Sequence, residues 1–105
     1  MDEKQKRKVA QYLARNSRSR AKKAGIQHTI RWTDLEIPDK CPVLDEEFWP
    51  VLGQQTPTSV TIDRLDSTKG YIPGNVWVIS LEANKAKGRL SLEQLKRLVR
   101  RLEGP

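Results

Sequence analysis

The residues best suited to chemistry lie between positions 59 and 87. Asp63 stands near the end of a β-rich run, Asn75 opens a second one, and Asn84 follows in a run of helix formers. A strand–loop–strand–helix arrangement would bring Asp63 close to Asn84, because the helix packs across the hairpin. Carboxylate and amide oxygens are hard ligands that suit Mg²⁺ or Mn²⁺. Asp and Asn are also common turn formers and caps, so both interpretations stay open on spacing alone.

The elements that must position these residues follow from local patterns. Residues 60–65 alternate apolar and polar side chains, residues 66–75 are dense in turn formers, and residues 76–79 form a second β-rich run. This order predicts a β-hairpin with a long loop. Residues 80–87 are mostly helix formers and end at Gly88, which predicts a helix after the hairpin.

Two further helices are predicted, one on each side of this unit. Residues 3–24 contain neither Pro nor Gly, and Gly25 ends the run. Their apolar stripe is thin, so we expect a helix that leans on the domain rather than forming its centre. Near the other end, Ser91 and Gln94 match a capping box. A stripe at helical spacing follows, and we expect it to lie in the core. It consists of Leu92, Leu95, Leu98, Val99 and Leu102.

Positive charge is concentrated at the N-terminus. The formal net charge is +7, and residues 1–25 carry nine basic against two acidic side chains, whereas residues 26–105 are balanced. A basic element attracts phosphate polymers. A solvated surface helix has the same signature, so charge alone does not decide. We expect a basic helix over residues 1–25 and a single globular unit of the α+β class over residues 26–105.

Composition limits the setting of the protein. A chain of 105 residues is typical of one domain. The single cysteine, Cys41, excludes an intrachain disulfide and a cysteine-only zinc site, and it fits a reducing compartment. No apolar run approaches the length of a membrane span. We therefore expect a soluble cytoplasmic protein with no membrane partner, and a monomer by default.

A set of short motifs in fixed order carries a family resemblance. Residues 59–88 read SVTIDRLDSTKGYIPGNVWVISLEANKAKG. This segment closely resembles the HNH endonucleases, a branch of the ββα-metal (His-Me finger) nucleases, and in particular a small variety common in bacteriophage genomes. The basic stretch at residues 20–26 and the Cys-Pro-Val segment that starts at Cys41 are also similar to that variety, so the resemblance covers roughly residues 18–103. Within the segment, the matching motifs are residues 62–66, 69–71, 74–76, 78–80 and 84–87.

The resemblance implies a fold, an activity and roles for individual residues. It implies a ββα-metal core and a phage-encoded endonuclease that cuts or nicks double-stranded DNA in the bacterial host cytoplasm with one Mg²⁺ or Mn²⁺ ion. By position, Asp63 and Asn84 would bind the ion. Asn75 would tie the loop to the strand, and Gly70 and Gly74 would serve where the loop needs unusual backbone angles.

Position 64 departs from the family pattern. HNH nucleases usually carry a His there that activates water, whereas this chain has Arg64, which cannot act as a general base. Arg64 can instead bind a phosphate and stabilise transition-state charge. Asp66 could replace the base, serve as a second metal ligand, or simply form a turn. His28, the only histidine, suits either proton transfer or packing. Activation of water by the ion alone needs neither residue. Relatives hold a structural zinc through paired cysteines, and no such zinc is expected here because Cys41 stands alone.

Basic side chains of the N-terminal helix and of the HNH-like segment are the expected DNA contacts. They are Lys8, Arg15, Arg18, Arg20, Lys22, Lys23, Lys69 and Lys87. Two alternative functions remain open. Arg64 and the basic helix are compatible with a catalytically inactive DNA-binding protein on the same scaffold. Because fold does not fix function, a phage protein that binds a host protein is the other alternative.

Overall fold

The computed structural model describes residues 1–88 and 90–104. In this part of the chain, three α-helices and one two-stranded antiparallel sheet form a small α+β structure, which confirms the predicted class. The elements are α1 (Glu3–Ala24), a 3₁₀ turn (Trp32–Asp34), β1 (Val60–Arg64), β2 (Val76–Ser80), α2 (Leu81–Lys87) and α3 (Leu92–Glu103).

The ends of α1 are set by local hydrogen bonding. The Asp2 side chain accepts a hydrogen bond from the Gln5 amide, 2.7 Å away, and so satisfies one free donor of the first turn. At the other end, Gly25 adopts a left-handed conformation with φ of 68°, which ends the helix as predicted. Among the described residues, no helix is long and apolar enough to cross a membrane.

The α1 helix contributes directly to the core. Val9, Ala10 and Leu13 are almost fully buried, and they belong to the same hydrophobic cluster as Val60 of β1 and Val78 of β2. The thin apolar stripe therefore understates how much of α1 is buried in the core. Its buried face is made partly of alanine and serine, which a search for large apolar side chains undercounts.

The hairpin and the helix after it form as predicted. β1 pairs with β2 from Val60 opposite Ser80 to Arg64 opposite Val76. Successive side chains of a strand point to opposite faces, so buried Val60 and Ile62 alternate with Thr61 on β1. Ser80 then ends β2 and caps α2, because its Oγ accepts a hydrogen bond from the Ala83 amide at 3.1 Å.

The long connection between α1 and β1 is held against the core by a few buried residues. Ile37 and Phe48 belong to the hydrophobic cluster. Buried Cys41 accepts a hydrogen bond on Sγ from the Ser80 amide, 3.3 Å away. This contact ties the Cys-Pro-Val segment to the point where β2 becomes α2.

The α3 helix forms where predicted but does not enter the core. Ser91 caps it through the expected capping box with Gln94. In the described residues α3 has no contacts with α1, β1, β2 or α2. The prediction of a core stripe was wrong, because helical spacing shows that a helix has an apolar face but not that its partner lies in the same chain. The exposed fractions are 68% for Leu92, 48% for Leu98, 50% for Val99 and 77% for Leu102.

Candidate metal and nucleic-acid site

An open groove of about 480 Å³ runs between α1 and the hairpin, and we call it the α1–β1 groove. Its lining includes Arg20 of α1, Asp63 and Arg64 of β1, Tyr71 of the hairpin loop and Asn84 of α2. Residues from four separate parts of the chain therefore border one space. Asp63 and Asn84 both line it, as the order of hairpin and helix predicts.

The carboxylate of Asp63 is held through one of its two oxygens. Oδ2 accepts hydrogen bonds from Lys87 Nζ at 2.6 Å and from Trp77 Nε1 at 2.9 Å. Lys87 Nζ also donates to the Arg64 carbonyl at 2.7 Å. The side chains of Asp63 and Lys87 are only 14% and 22% exposed, so this ion pair is partly shielded from water. The other oxygen, Oδ1, has no part in these contacts.

The amide of Asn84 is oriented by β1. Its Nδ2 donates to Thr61 Oγ1 at 3.2 Å, and Thr61 Oγ1 in turn donates to the Ile79 carbonyl at 2.8 Å. Because the nitrogen is used on Thr61, the carbonyl oxygen is the atom of the Asn84 side chain that can accept from or coordinate a ligand.

These two oxygens fit a hard divalent cation in their chemistry. Mg²⁺ usually keeps several waters and takes only one or two carboxylates together with substrate phosphates. Asp63 Oδ1 and Asn84 Oδ1 could therefore suffice. Among residues 1–88 and 90–104, no group of three or more His, Cys, Asp or Glu side chains could hold a metal ion. Lys87 would compete with a cation, since its ammonium group already neutralises Asp63.

Asn75 ties the hairpin loop together. Its Oδ1 accepts a hydrogen bond from the Asp66 amide at 2.9 Å, and its Nδ2 donates to the carbonyls of Asp66 and Gly70 at 3.1 and 2.8 Å. Asn75 is 7% exposed. Its side chain thus joins both ends of the loop, in keeping with the structural role that the sequence suggested.

The two loop glycines are required for different reasons. Gly74 has φ of 85°, a conformation that side chains disfavour. Gly70 lies outside that region, so the prediction of unusual backbone angles was wrong for it. A Cβ at Gly70 would instead lie 2.4 Å from the Gln27 carbonyl oxygen. The neighbouring Tyr71 amide donates to that same oxygen at 2.9 Å, which pins the loop to the segment after α1.

Arg64 is fixed by the loop that follows it. Its Nη1 donates to the carbonyls of Ser67 and Lys69 at 3.1 and 2.9 Å. The guanidinium carbon lies 5.3 Å from the centroid of the Tyr71 ring, a cation–π contact. Both hydrogen bonds use Nη1, so Nη2 and Nε can donate to an anion in the groove.

The other two catalytic candidates do not line the groove. Asp66 Oδ1 accepts hydrogen bonds from the amide and hydroxyl of Thr68 at 2.9 and 2.6 Å, which lower the pKa of its carboxyl and give it the geometry of a turn residue. His28 Nε2 lies 2.9 Å from Ser17 Oγ, and its ring centroid lies 5.5 Å from that of Tyr71. Burial lowers the pKa of His28. The structure therefore places His28 in a packing position between α1 and the loop.

The expected DNA contacts differ in where they lie. Arg20 lines the groove, whereas Lys8 borders a separate depression beside Pro50 and Val51. With a rise of 1.5 Å per residue, Lys8 lies about 18 Å from Arg20 along α1. Lys87 is turned onto Asp63. The exposed members of the set are Lys8, Arg15, Arg18, Arg20, Lys22, Lys23 and Lys69.

Sequence reasoning missed the residues that hold the two ligand candidates. Lys87 was expected to contact DNA, and neither Trp77 nor Thr61 was expected to orient a ligand candidate. The sequence contained a signal for the roles of Trp77 and Lys87. Trp77 is the cross-strand neighbour of Asp63 in the hairpin register, and Lys87 shares a helix face with Asn84 three residues earlier.

Comparison with known protein families, curated proteins and solved structures finds no match to this chain. Function must therefore be inferred from the residues and their geometry.

Proposed function

We propose that this protein is a metal-dependent DNA endonuclease of the HNH type, with the α1–β1 groove as its active site. One observation carries the proposal: Asp63, Arg64 and Asn84 border a single groove. The order strand, strand, helix over β1, β2 and α2 agrees with the ββα-metal arrangement that the resemblance implies.

In this proposal Asp63 Oδ1 and Asn84 Oδ1 would hold one Mg²⁺ or Mn²⁺ ion. Such an ion would supply charge neutralisation at the phosphate and at the leaving oxygen. Lys87 and Trp77 fix the Asp63 carboxylate, and Thr61 fixes the Asn84 amide. The two ligand candidates are thus oriented without the ion, which lowers the ordering cost of binding it, but the ion must share the Asp63 carboxylate with Lys87.

Arg64 binds the scissile phosphate through Nη2 and Nε and stabilises its developing charge. It cannot accept a proton. The side chains that line the groove include no histidine among the described residues, so the proton of the attacking water leaves to solvent. We therefore expect the cleavage rate to rise with pH without a plateau near pH 6.5, the ordinary pKa of histidine.

The exposed basic residues of α1 supply the electrostatic attraction to the DNA backbone. Arg20 is the one that reaches the groove itself. Since each phosphate contact releases counterions, binding should weaken steeply as salt rises. The proposed setting is the cytoplasm of a bacterial host.

The test is plasmid nicking by the purified chain with Mg²⁺ or Mn²⁺. Asp63→Asn keeps the size of the side chain but removes its charge, and it should abolish nicking. Glu82→Gln is the matched control, because it removes one acidic charge from exposed α2 surface and should cleave at the wild-type rate. His28→Gln should also keep its activity.

Circular dichroism must show that Asp63→Asn is folded. An intact plasmid across a range of metals and salts, with folded wild-type protein, would refute the proposal.

A second candidate function is favoured by a specific contact. The 2.6 Å ion pair between Lys87 and Asp63 already neutralises the carboxylate, as expected of a non-catalytic DNA-binding protein on the same scaffold. In that case DNA binding should be sensitive to salt but indifferent to chelator and to Asp63→Asn. Loss of binding on adding EDTA would exclude this alternative.

A further inference from the structure

The apolar face of α3 is a surface feature that the proposed active site does not explain. Leu92, Leu98, Val99 and Leu102 are each about half exposed or more. They follow one another at helical spacing, so they form one continuous face. Single exposed leucines are ordinary, but a continuous stripe of this kind marks an interaction site.

The accessible surface of the molecule is larger than that of a compact monomer of the same mass. It exposes 7699 Å², whereas a compact monomer of 12.1 kDa exposes about 6,000 Å². The excess is about 1,700 Å², and one partner of a standard protein interface buries about 800 Å². The radius of gyration of the molecule, 14.4 Å, also exceeds the value of about 13 Å for a compact domain of this length. The molecule thus has enough surplus surface for a specific interface.

The charges of α3 favour a particular partner geometry. Glu93 lies in the first turn, and Arg100, Arg101 and Glu103 lie in the last, which is therefore net basic. Within the helix, Arg100 Nη2 also donates to Glu93 Oε1 at 3.3 Å. Two copies of this helix side by side in parallel would bring their basic ends together. In antiparallel order, the basic end of each copy lies beside the acidic end of the other, and the helix dipoles are opposed favourably.

Charged residues along one edge of the apolar stripe also favour the antiparallel arrangement. At 100° per residue, Lys96 and Glu103 lie along one edge of the apolar face. In an antiparallel pair whose two-fold axis passes between Val99 and Arg100, Lys96 of each copy lies level with Glu103 of the other copy. A parallel pair would set these two residues at different heights, seven positions apart.

We propose that α3 pairs antiparallel with α3 of a second copy of this chain, so that the protein is a two-fold symmetric dimer. The apolar stripe forms the centre of the interface, and two symmetry-related contacts between Lys96 and Glu103 set its direction. This assignment does not depend on the proposed nuclease activity. It makes α3 an assembly element, separate from the α1–β1 groove.

The experiment is sedimentation velocity of the full chain over micromolar to millimolar concentrations. The wild type should pass from monomer to dimer. Leu98→Lys places a charge in the centre of the stripe and should weaken dimerisation by at least about tenfold. Arg97→Ala, a change at a residue that is 71% exposed outside the stripe, should leave the dimer unchanged. Near-ultraviolet circular dichroism should be alike in all three, because α3 has no contact with the other helices and strands.

A charge exchange tests the direction of the pair. Lys96→Glu alone and Glu103→Lys alone should each weaken the dimer, and the double variant should restore it, because the two charges meet only across the interface. A dimer that forms but shows no such restoration would overturn antiparallel pairing.

Other occupants of the stripe would give different results. A wild type that stays monomeric over the whole range would overturn the proposal. So would a monomer that floats with anionic lipid vesicles, which would assign the face to a membrane surface. A dimer that Leu98→Lys leaves intact would place the interface elsewhere and would equally overturn it.

Discussion

The α1 and α3 helices are both basic and amphipathic, yet they use their apolar side chains in opposite ways. α1 buries Val9, Ala10 and Leu13 in the cluster that also contains residues of both strands. α3 leaves Leu98 and Leu102 largely in solvent. The helix with fewer large apolar residues is the one that stabilises the fold.

This difference shows that burial depends on fit to a partner rather than on the width of a stripe. Ala10 and Ala21 are small, so the backbone of α1 can approach the rest of the molecule closely, and both are at most 3% exposed. Within the described residues, the leucines of α3 lie on a helix that has no contact with the other helices or with the strands. Leucine substitutions in the two helices should therefore differ widely in their effect on the free energy of unfolding. Substitutions at Asn75 in the hairpin loop and at His28, which contacts α1, should have intermediate effects.

The largest effect is expected at Leu13. Leu13→Ala removes a side chain that is 4% exposed and leaves a cavity between α1 and the strands, so the free energy of unfolding should fall by about 2–5 kcal/mol. Urea denaturation followed by tryptophan fluorescence measures it. A loss below about 1 kcal/mol would mean that α1 is dispensable to the core, and the contrast between the two helices would fail.

A smaller but still large loss is expected at Asn75. Asn75→Ala removes three hydrogen bonds at once and leaves two carbonyls and one amide of the loop without their partner. Unfolding should become easier by about 2 kcal/mol. Amide hydrogen exchange should show the change first in residues 66–75, whereas α3 should exchange as in the wild type. Equal acceleration in α3 would contradict its independence from the hairpin.

The contact of His28 with α1 should give the stability a weak dependence on pH. Burial lowers the pKa of His28 in the folded state below its ordinary value of 6.5. The unfolded chain therefore takes up this proton first as pH falls. The contribution of neutral His28 to the free energy of unfolding is fully present above its ordinary pKa of 6.5. It is lost as pH falls through the lowered pKa of His28 in the folded state.

Urea denaturation at about pH 7.5 and about pH 5.5 tests this, with His28→Gln as the comparison. The free energy of unfolding of the wild type should fall from the higher to the lower pH, and that of His28→Gln should fall less. Equal losses would show that other groups carry the pH dependence.

These elements also show how far the sequence could predict the fold. The hairpin, α2 and the cap of α3 were predictable because turn residues, strand alternation and capping boxes act over a few positions. That Asp63 and Asn84 line the same groove followed from the order of elements. The predictions that failed depended on packing between residues that are far apart in the sequence. The collision that Gly70 avoids involves Gln27, more than forty positions earlier, and no local pattern reports it.

The partner of each ligand candidate was similarly hidden. Lys87 resembles any solvated lysine in a helix, and only the distance of 2.6 Å to Asp63 shows that it neutralises a possible metal ligand. The exposure of the α3 stripe was hidden for a different reason. A stripe has the same sequence whether its partner is the same chain or another molecule.

The smallest effect is expected for Leu98→Ala, which makes in α3 the same chemical change as Leu13→Ala makes in α1. Leu98 is 48% exposed, and within the described residues α3 has no contact with the other helices or the strands, so no core cavity opens. Alanine is also the best helix former, so α3 itself should persist. At a protein concentration low enough to exclude pairing, the free energy of unfolding should change by less than about 0.5 kcal/mol. Urea denaturation run beside Leu13→Ala measures the contrast directly. A loss of about 2 kcal/mol would mean that α3 packs on the body of its own chain in solution, and the distinction between a core helix and an assembly helix would then disappear.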